Sequence, residues 1–270
     1  MAGLGKLLII GCGNKGGAML AGWLAAGEEP ARFEVLDPAM EQAPPGVTLH
    51  REPPANPDHD AVLLGFKPQQ LAALGPGLQA LTGEGVTVFS LLAGIDLAML
   101  AKAFPAASAH VRVMPNLAAR IGKSPIILAQ AGLDEAQQSA AKSFFGQLGT
   151  AVWLEEEAKF NLVTALAGSG PGFVYRFIDA LSSAAQELGV EAAMADELAL
   201  ATVHGAASLA AASEISPGEL ADRVASPGGM TREGMNVLDE DNALKYLLIE
   251  TLRATADKGD ELADQARKQP

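Results

Sequence analysis

Residues 7–17 read Leu-Leu-Ile-Ile-Gly-Cys-Gly-Asn-Lys-Gly-Gly, an apolar run that passes straight into a glycine-rich turn. Four apolar residues in succession suit a strand buried on both faces. Ala18, Leu20, Trp23 and Leu24 follow with helical spacing, and Gly27 is a natural C-cap. The glycines at 11, 13 and 16 fit G-x-G-x-x-G, and the strand before and helix after give that spacing its meaning. Gly11 permits the tight turn, Gly13 lets backbone approach a pyrophosphate, and Gly16 lets the helix lie close on the sheet. The helix start at Asn14 and Lys15 offers free N–H groups and a positive dipole end to phosphates. The bland alternative is a flexible turn. Asp37, however, follows Gly16 by 21 residues, at the end of a second apolar run, Phe33–Leu36. A carboxylate there accepts hydrogen bonds from ribose hydroxyls and repels a 2′-phosphate. The combination predicts dinucleotide binding, with NADH modestly favoured over NADPH. Asp37 could instead only start the turn with Pro38, and Arg32 and Arg51 leave a phosphate clamp open.

Outward from this loop, further short apolar runs at Ala61–Phe66, Val86–Leu91 and His110–Met114 alternate with helical spacing. Such alternation predicts an α/β fold with a Rossmann-type, doubly wound parallel sheet. Ile126–Leu128 and Ala151–Leu154 could add late strands around a helix at Glu135–Leu148. After about residue 156 the strand signal stops. Ala158–Ala167, Phe173–Leu188, Glu191–Ser213 and Thr231–Leu262 read as helices, with breaks at Gly168–Gly172, Gly189, Ser216–Gly218 and Ser226–Gly229. Expected domains are therefore 1–156, binding dinucleotide, and 157–270, all-α. The helical half is rich in alanine and poor in large side chains for a private core, so it is expected to complete its core with a second copy of the chain. Asp264–Pro270 is polar and expected to fray.

Composition removes other classes. Of 270 residues, 19 are basic and 32 acidic, a net charge of −13, so no cationic surface for nucleic acid is expected. An apolar fraction of 49% fills a substantial core and argues against general disorder. The Ala-rich stretch Leu198–Ser213 is too weakly apolar for a membrane span, and Leu7–Ile10 is shorter than a secretory-signal core. A cytoplasmic protein is expected. The single Cys12 excludes an internal disulfide, and without a neighbouring base it reads as a small packed side chain. His50, His59, His110 and His204 are scattered without ligand spacing, so no metal site is expected.

Three strand-ending turns would lie beside the cofactor: Lys67-Pro68, Ala93-Gly94 and Met114-Pro115-Asn116. Each alone is an ordinary strand-to-helix connection. The helical half adds two glycine-rich breaks, Gly168-Ser169-Gly170-Pro171-Gly172 and Ser226-Pro227-Gly228-Gly229-Met230-Thr231. Either is equally an interhelical turn, but amides at such helix starts form anion-binding nests. Two of them behind a dinucleotide fold point to a carboxylated substrate.

At these residues the chain resembles the pyrroline-5-carboxylate reductase family. The resemblance rests on Gly11–Gly17, Leu64–Gln69, Val113–Asn116, Thr164–Pro171 and Val224–Thr231, in the family's order and across almost the whole chain. Departures are modest: Gly65-Phe66 for the usual Ala-Val, Leu117 for a common Thr, Ala167 for Ser, and Asp37 for the Asn/Ser-Arg pattern associated with NADPH. The resemblance implies hydride transfer from NAD(P)H to the C=N of Δ1-pyrroline-5-carboxylate, giving L-proline. It further implies that Thr231 orients the imine nitrogen while solvent supplies the proton. Ser226, with the amides of Gly228, Gly229 and Met230 and the Ser169-Gly170 nest, would hold the substrate. Family members are implied to be homodimers that build the site across the dimer and assemble into larger rings such as a decamer. A β-hydroxyacid dehydrogenase would need a lysine where Arg176 stands, a broader imine reductase could use Tyr175, and a catalytically silent nucleotide-binding protein would not need the threonine loop.

Overall fold

A computed structural model describes residues 5–268 of the chain. By contacts they form two compact units. One takes the chain to Ser169 together with everything from Ala254 onward, and the other is Gly170–Arg253. The helix at residues 160–167, which the sequence reading groups with the helical half, belongs by contacts to the first unit.

The first unit carries one eight-stranded sheet. Its strands are β1 (Leu7–Ile10), β2 (Phe33–Leu36), β3 (Thr48–His50), β4 (Ala61–Leu64), β5 (Thr87–Ser90), β6 (Ala109–Met114), β7 (Ser124–Ala131) and β8 (Gly149–Trp153), in the order 3-2-1-4-5-6-7-8. From β3 to β6 all pairs are parallel, with Leu7 beside both Phe33 and Ala61. The strand order therefore reverses between β1 and β4, where a doubly wound sheet opens its ligand crevice.

The sheet is not wholly parallel, because β7 runs antiparallel to β6. Only a short turn around Leu117–Ile121 joins them, and a parallel return would need a crossover of about a dozen residues. β3 escapes the sequence reading because it has three residues, of which only Leu49 is apolar.

Alternate side chains of the strands feed two cores, as a sheet covered on both faces requires. Leu7, Ile9, Phe33 and Leu63 face α1 (Asn14–Ala25) and α4 (Glu135–Gly146), where Trp23 stacks on Phe33 and Phe144 and donates Nε1–H to the Phe144 carbonyl at 3.1 Å. Leu8, Ile10, Val62 and Leu64 face α2 (Leu71–Leu78) and α3 (Leu97–Ala103), packed with Leu100 and Phe104. α5 (Phe160–Ala167) packs on β7 around Phe160, Met114 and Ile127.

The second unit contains α6 (Gly170–Glu187), α7 (Ala192–Ala212), α8 (Pro217–Val224), α9 (Met230–Asp239) and the first part of α10 (Ala243–Lys268). The expected single helix Thr231–Leu262 is instead two. Asp241 and Asn242 take left-handed backbone angles, φ 48° and 58°, which Asp and Asn tolerate better than most residues and which interrupt the helix. α8 was not expected. Ser216 caps it, with Pro217 at the first helical position and Glu219 closing a capping box. At the chain end α10 stays helical through Lys268, against the expected fraying from Asp264; residues 269–270 lie outside the described residues.

Only Ser182, Ala195, Ala199 and Ala225 are buried in this unit, while Phe177, Leu198, Leu209, Leu247 and Leu248 are exposed. Apolar surface on this scale marks an interaction face. No helix among the described residues is long and apolar enough to cross a membrane.

Candidate active site

Because β1, β2, β4, β5 and β6 are parallel, their carboxyl ends share one edge of the sheet. The loops gathered there are Gly11–Gly17, Asp37, Gly65–Gln69, Leu91–Ile95 and Pro115–Asn116.

The glycine loop has the properties a pyrophosphate demands. Gly11 has φ +82°, and a Cβ on it would meet the Phe66 backbone at 2.8 Å. Gly65 faces it so closely that a Cβ there would lie 2.3 Å from the Gly11 carbonyl oxygen. A Cβ on Gly16 would stand 3.3 Å from that same oxygen, whereas one on Gly13 would meet nothing within 4 Å. α1 starts at Asn14 with no side-chain cap and no acid in its first turn. Its free amides and dipole are open to an anion.

Asp37 faces this loop. Its Oδ2 accepts the Cys12 N–H at 2.9 Å, and its Oδ1 accepts the Ala39 N–H at 2.9 Å. The turn reading and the loop-facing reading of Asp37 therefore both describe it. Arg51, just past β3, donates to the carbonyls of Pro38 and Glu41, both at 3.0 Å. Arg32 instead pairs with Glu28. Cys12 is buried, and burial with Asp37 nearby pushes its thiol up to about 11, far from a reactive thiolate.

Lys15 reaches across the sheet edge, with Nζ 3.3 Å from Met114 Sδ at the end of β6. Burial lowers its pKa. Lys67 is exposed, and its N–H goes to Gln70 Oε1 at 3.0 Å, while Pro68 opens the short turn leading into α2. Asn116 is buried and tied internally: its N–H donates to Ser124 Oγ at 2.9 Å, Nδ2–H to the Ala167 carbonyl at 3.0 Å, and its Oδ1 accepts from Ala118. It clips the end of β6 to the end of α5.

A cavity of about 460 Å³ in the first unit gathers Ala93, Gly94, Met114 and Ser169 with Arg112 and Thr164. Its size suits a small ligand. Thr164 Oγ1 is buried and has no hydrogen-bond partner among the described residues, so the wall holds a polar group suited to a ligand. Arg112 lies 3.7 Å over the Phe160 ring and donates to Glu157 Oε1 at 2.9 Å. The same Oε1 accepts the Leu97 N–H. Sequence reasoning names Thr164 only as the start of the Thr164–Pro171 motif and misses Arg112 and Glu157; the usable signal for Arg112 was a charge inside the apolar run of β6.

In the second unit, Ser226-Pro227-Gly228-Gly229 turns tightly into α9. The Gly229 N–H donates to the Ser226 carbonyl at 2.9 Å, and Gly228 has φ +72°. Arg232 fixes the turn, donating to the Ala225 carbonyl at 3.1 Å and to Asp222 at 2.9 Å. Gly229 caps α9 without a side chain, and Met230 is 94% exposed. Thr231 is exposed, with no hydrogen-bond partner for its hydroxyl among the described residues. Ser169 and Gly170 stand where α5 ends and α6 starts, the Ser169 N–H donating to the Thr164 carbonyl at 3.1 Å. Arg176 pairs with Asp179 at 2.7 Å, Tyr175 is exposed, and His204 lies exposed on α7. No group of His, Cys, Asp or Glu suited to a metal occurs among the described residues.

Fold and loop together define a dinucleotide-binding α/β protein with an appended helical region. The family model for pyrroline-5-carboxylate reductase dimerisation matches residues 157–262. The chain is 32% identical over 268 residues to pyrroline-5-carboxylate reductase of Pseudomonas aeruginosa, covering 96% of this chain and 97% of that protein. It is 31% identical over 258 residues to the Methanosarcina acetivorans enzyme of the same name, covering 93% and 95%. A solved pyrroline-5-carboxylate reductase from Coxiella burnetii superposes with a TM-score of 0.89 at 29% identity, covering 96% and 99%. The chain belongs to the pyrroline-5-carboxylate reductase family.

Proposed function

We propose that this chain reduces Δ1-pyrroline-5-carboxylate to L-proline with hydride from NAD(P)H, as the last step of proline biosynthesis. The observation that carries the reading is the phosphate loop: the space beside Gly13 is open, α1 is uncapped, and this loop opens a chain of the reductase family. Gly11, Gly13, Asn14, Lys15 and Gly16 would hold the pyrophosphate region and Asp37 the adenosine ribose, with the loops at Lys67-Pro68, Ala93-Gly94 and Met114-Pro115-Asn116 along the rest of the cofactor. Bound there, the nicotinamide supplies the hydride. Ser226, Gly228, Gly229, Met230, Ser169 and Gly170 bind the substrate, its carboxylate met by the uncapped start of α9 and not by basic side chains, although the Gly229 and Ser169 N–H groups, expected as ligands, are held by the Ser226 and Thr164 carbonyls. Thr231 orients the imine nitrogen, and solvent supplies the proton.

For function the chain divides near residue 156, into a cofactor domain at 1–156 and a substrate and dimerisation domain at 157–270. The exposed apolar helices of the second unit support a homodimer, with rings such as a decamer as the larger assembly. A cytoplasmic enzyme is our reading, with NADH favoured slightly over NADPH because of Asp37. The deciding assay follows NADH and NADPH oxidation with pyrroline-5-carboxylate, 3-hydroxyisobutyrate and a bulky cyclic imine. Turnover confined to pyrroline-5-carboxylate is expected, and faster turnover of either other substrate overturns the reading. Sedimentation showing a stable folded monomer would overturn the dimer.

A further inference from the structure

We infer that Lys15 sets the redox-state preference of the cofactor site, its ammonium opposing the positive charge of an oxidised nicotinamide so that the reduced cofactor binds in preference. The inference rests on the cofactor reading above, in which the backbone of Lys15 serves the pyrophosphate, and gives its side-chain amine a separate task.

Position comes first. Asp37 directly follows β2 and Met114 ends β6, four strand steps apart in the order 2-1-4-5-6. At about 4.8 Å per step the two ends lie roughly 19 Å apart, comparable to an extended dinucleotide. With the ribose carboxylate at the β2 end and the pyrophosphate on α1 beside β1, the nicotinamide half falls over the ends of β4 to β6. Lys15 begins in the phosphate loop, but its Nζ lies 3.3 Å from Met114 Sδ. The Lys15 N–H stays at the start of α1, while the amine is turned toward the β6 end of the crevice.

Its surroundings come second. A thioether is a weak acceptor. Among the described residues no carboxylate pairs with Lys15. Such an amine is partly desolvated without a counter-ion, and burial depresses its pKa accordingly. Met114 also lines the 460 Å³ cavity with Ala93 and Gly94, two residues read as beside the cofactor. A cation placed there interacts alike with the phosphates of both redox forms, which are unchanged by oxidation, and unfavourably with the one charge that differs. In use, this disfavours retention of the oxidised cofactor after transfer and biases the enzyme toward reduction.

The test is binding, independent of turnover. Dissociation constants for NADH and NAD+ are measured on the full-length protein and on Lys15→Met and Lys15→Arg by fluorescence and calorimetry. Methionine keeps the unbranched apolar stem beside Met114, and Lys15→Gln serves as a second neutral variant should methionine perturb folding. Expected is a fall of about tenfold in the ratio of NAD+ to NADH dissociation constants in the neutral variants, the scale of one screened charge contact. Lys15→Arg should retain the wild-type ratio. Equal weakening of both forms in the neutral variants would make Lys15 a phosphate ligand and overturn the inference alone, as would an unchanged pair of constants. Wild-type protein that bound neither form would overturn the cofactor reading and the inference with it.

Discussion

Asp37 Oδ2 accepts the backbone N–H of Cys12 at 2.9 Å, so the residue just past β2 also holds the phosphate loop that follows β1. Each carboxylate oxygen has a further lone pair free for a ribose hydroxyl. One side chain thus couples loop shape to cofactor choice. Asp37→Asn keeps an acceptor for the loop and removes the charge that repels a 2′-phosphate. The ratio of kcat/KM for NADPH over NADH should rise about tenfold or more. Arg51, anchored on the carbonyls of Pro38 and Glu41, stands ready to meet that phosphate, and adding Arg51→Ala should cancel most of the gain. An unchanged ratio in Asp37→Asn removes the ribose assignment.

Gly13 permits a cleaner separation of fold from binding. Its φ and ψ, −70° and −158°, lie in the extended region open to any residue, and a Cβ there meets nothing within 4 Å. Gly13→Val should therefore fold with wild-type thermal stability while NADH affinity falls beyond detection by fluorescence titration. Retained affinity contradicts the pyrophosphate assignment.

How much was legible beforehand follows from sequence distance. The phosphate loop, its strand and its helix are contiguous, and every step of their reading is local. The direction of β7 is readable only from the brevity of the turn after Met114, and the sequence reading kept the sheet parallel. The break at Asp241-Asn242 has no glycine or proline to announce it. Contacts between distant residues were invisible: Lys15 meets Met114 across 99 positions, and Arg112 finds Glu157 across 45. The uncapped start of α9 was readable because Gly228-Gly229 precedes it directly.

Arg112 and Glu157 should prove a structural pair. Arg112 is 6% exposed, lies on the Phe160 ring and has its charge balanced by Glu157, which also takes the Leu97 N–H. Removing one partner of a buried pair strands the other's charge. The Glu157 side chain is itself 31% exposed, so Glu157→Ala should cost about 2 kcal/mol in urea unfolding, less than for a fully buried pair, and a double variant with Arg112→Met should recover part of it. Independent, additive effects of the two substitutions would dissolve the pair.

Thr231 presents a free hydroxyl at the start of α9, on a turn that Arg232 ties to Ala225 and Asp222. Because the hydroxyl supports nothing in its own unit, Thr231→Ala should leave stability unchanged and lower kcat about tenfold or more, the scale of one oriented hydrogen bond lost in the transition state. Thr231→Ser should restore most of it. Unchanged kcat in the alanine variant refutes the role.

Cys12 supplies a prediction whose sign follows from linkage. Its thiol is raised from 9.0 to about 11 in the folded protein, by burial first and by the Asp37 carboxylate second. A raised folded pKa means that the unfolded chain loses this proton first. The stability contribution is then complete below pH 9 and is lost as the pH rises toward 11. Over that window the slope approaches about 1.4 kcal/mol per pH unit for one proton. Lysines and tyrosines titrate in the same range, so the informative quantity is the stability of the wild type minus that of Cys12→Ala, measured by urea unfolding from pH 8 to 11. The difference should fall with pH. A thiol held this way should also react slowly with DTNB at pH 8 in the native state and rapidly once unfolded, and fast labelling of the folded enzyme would show the thiol to be exposed and reactive.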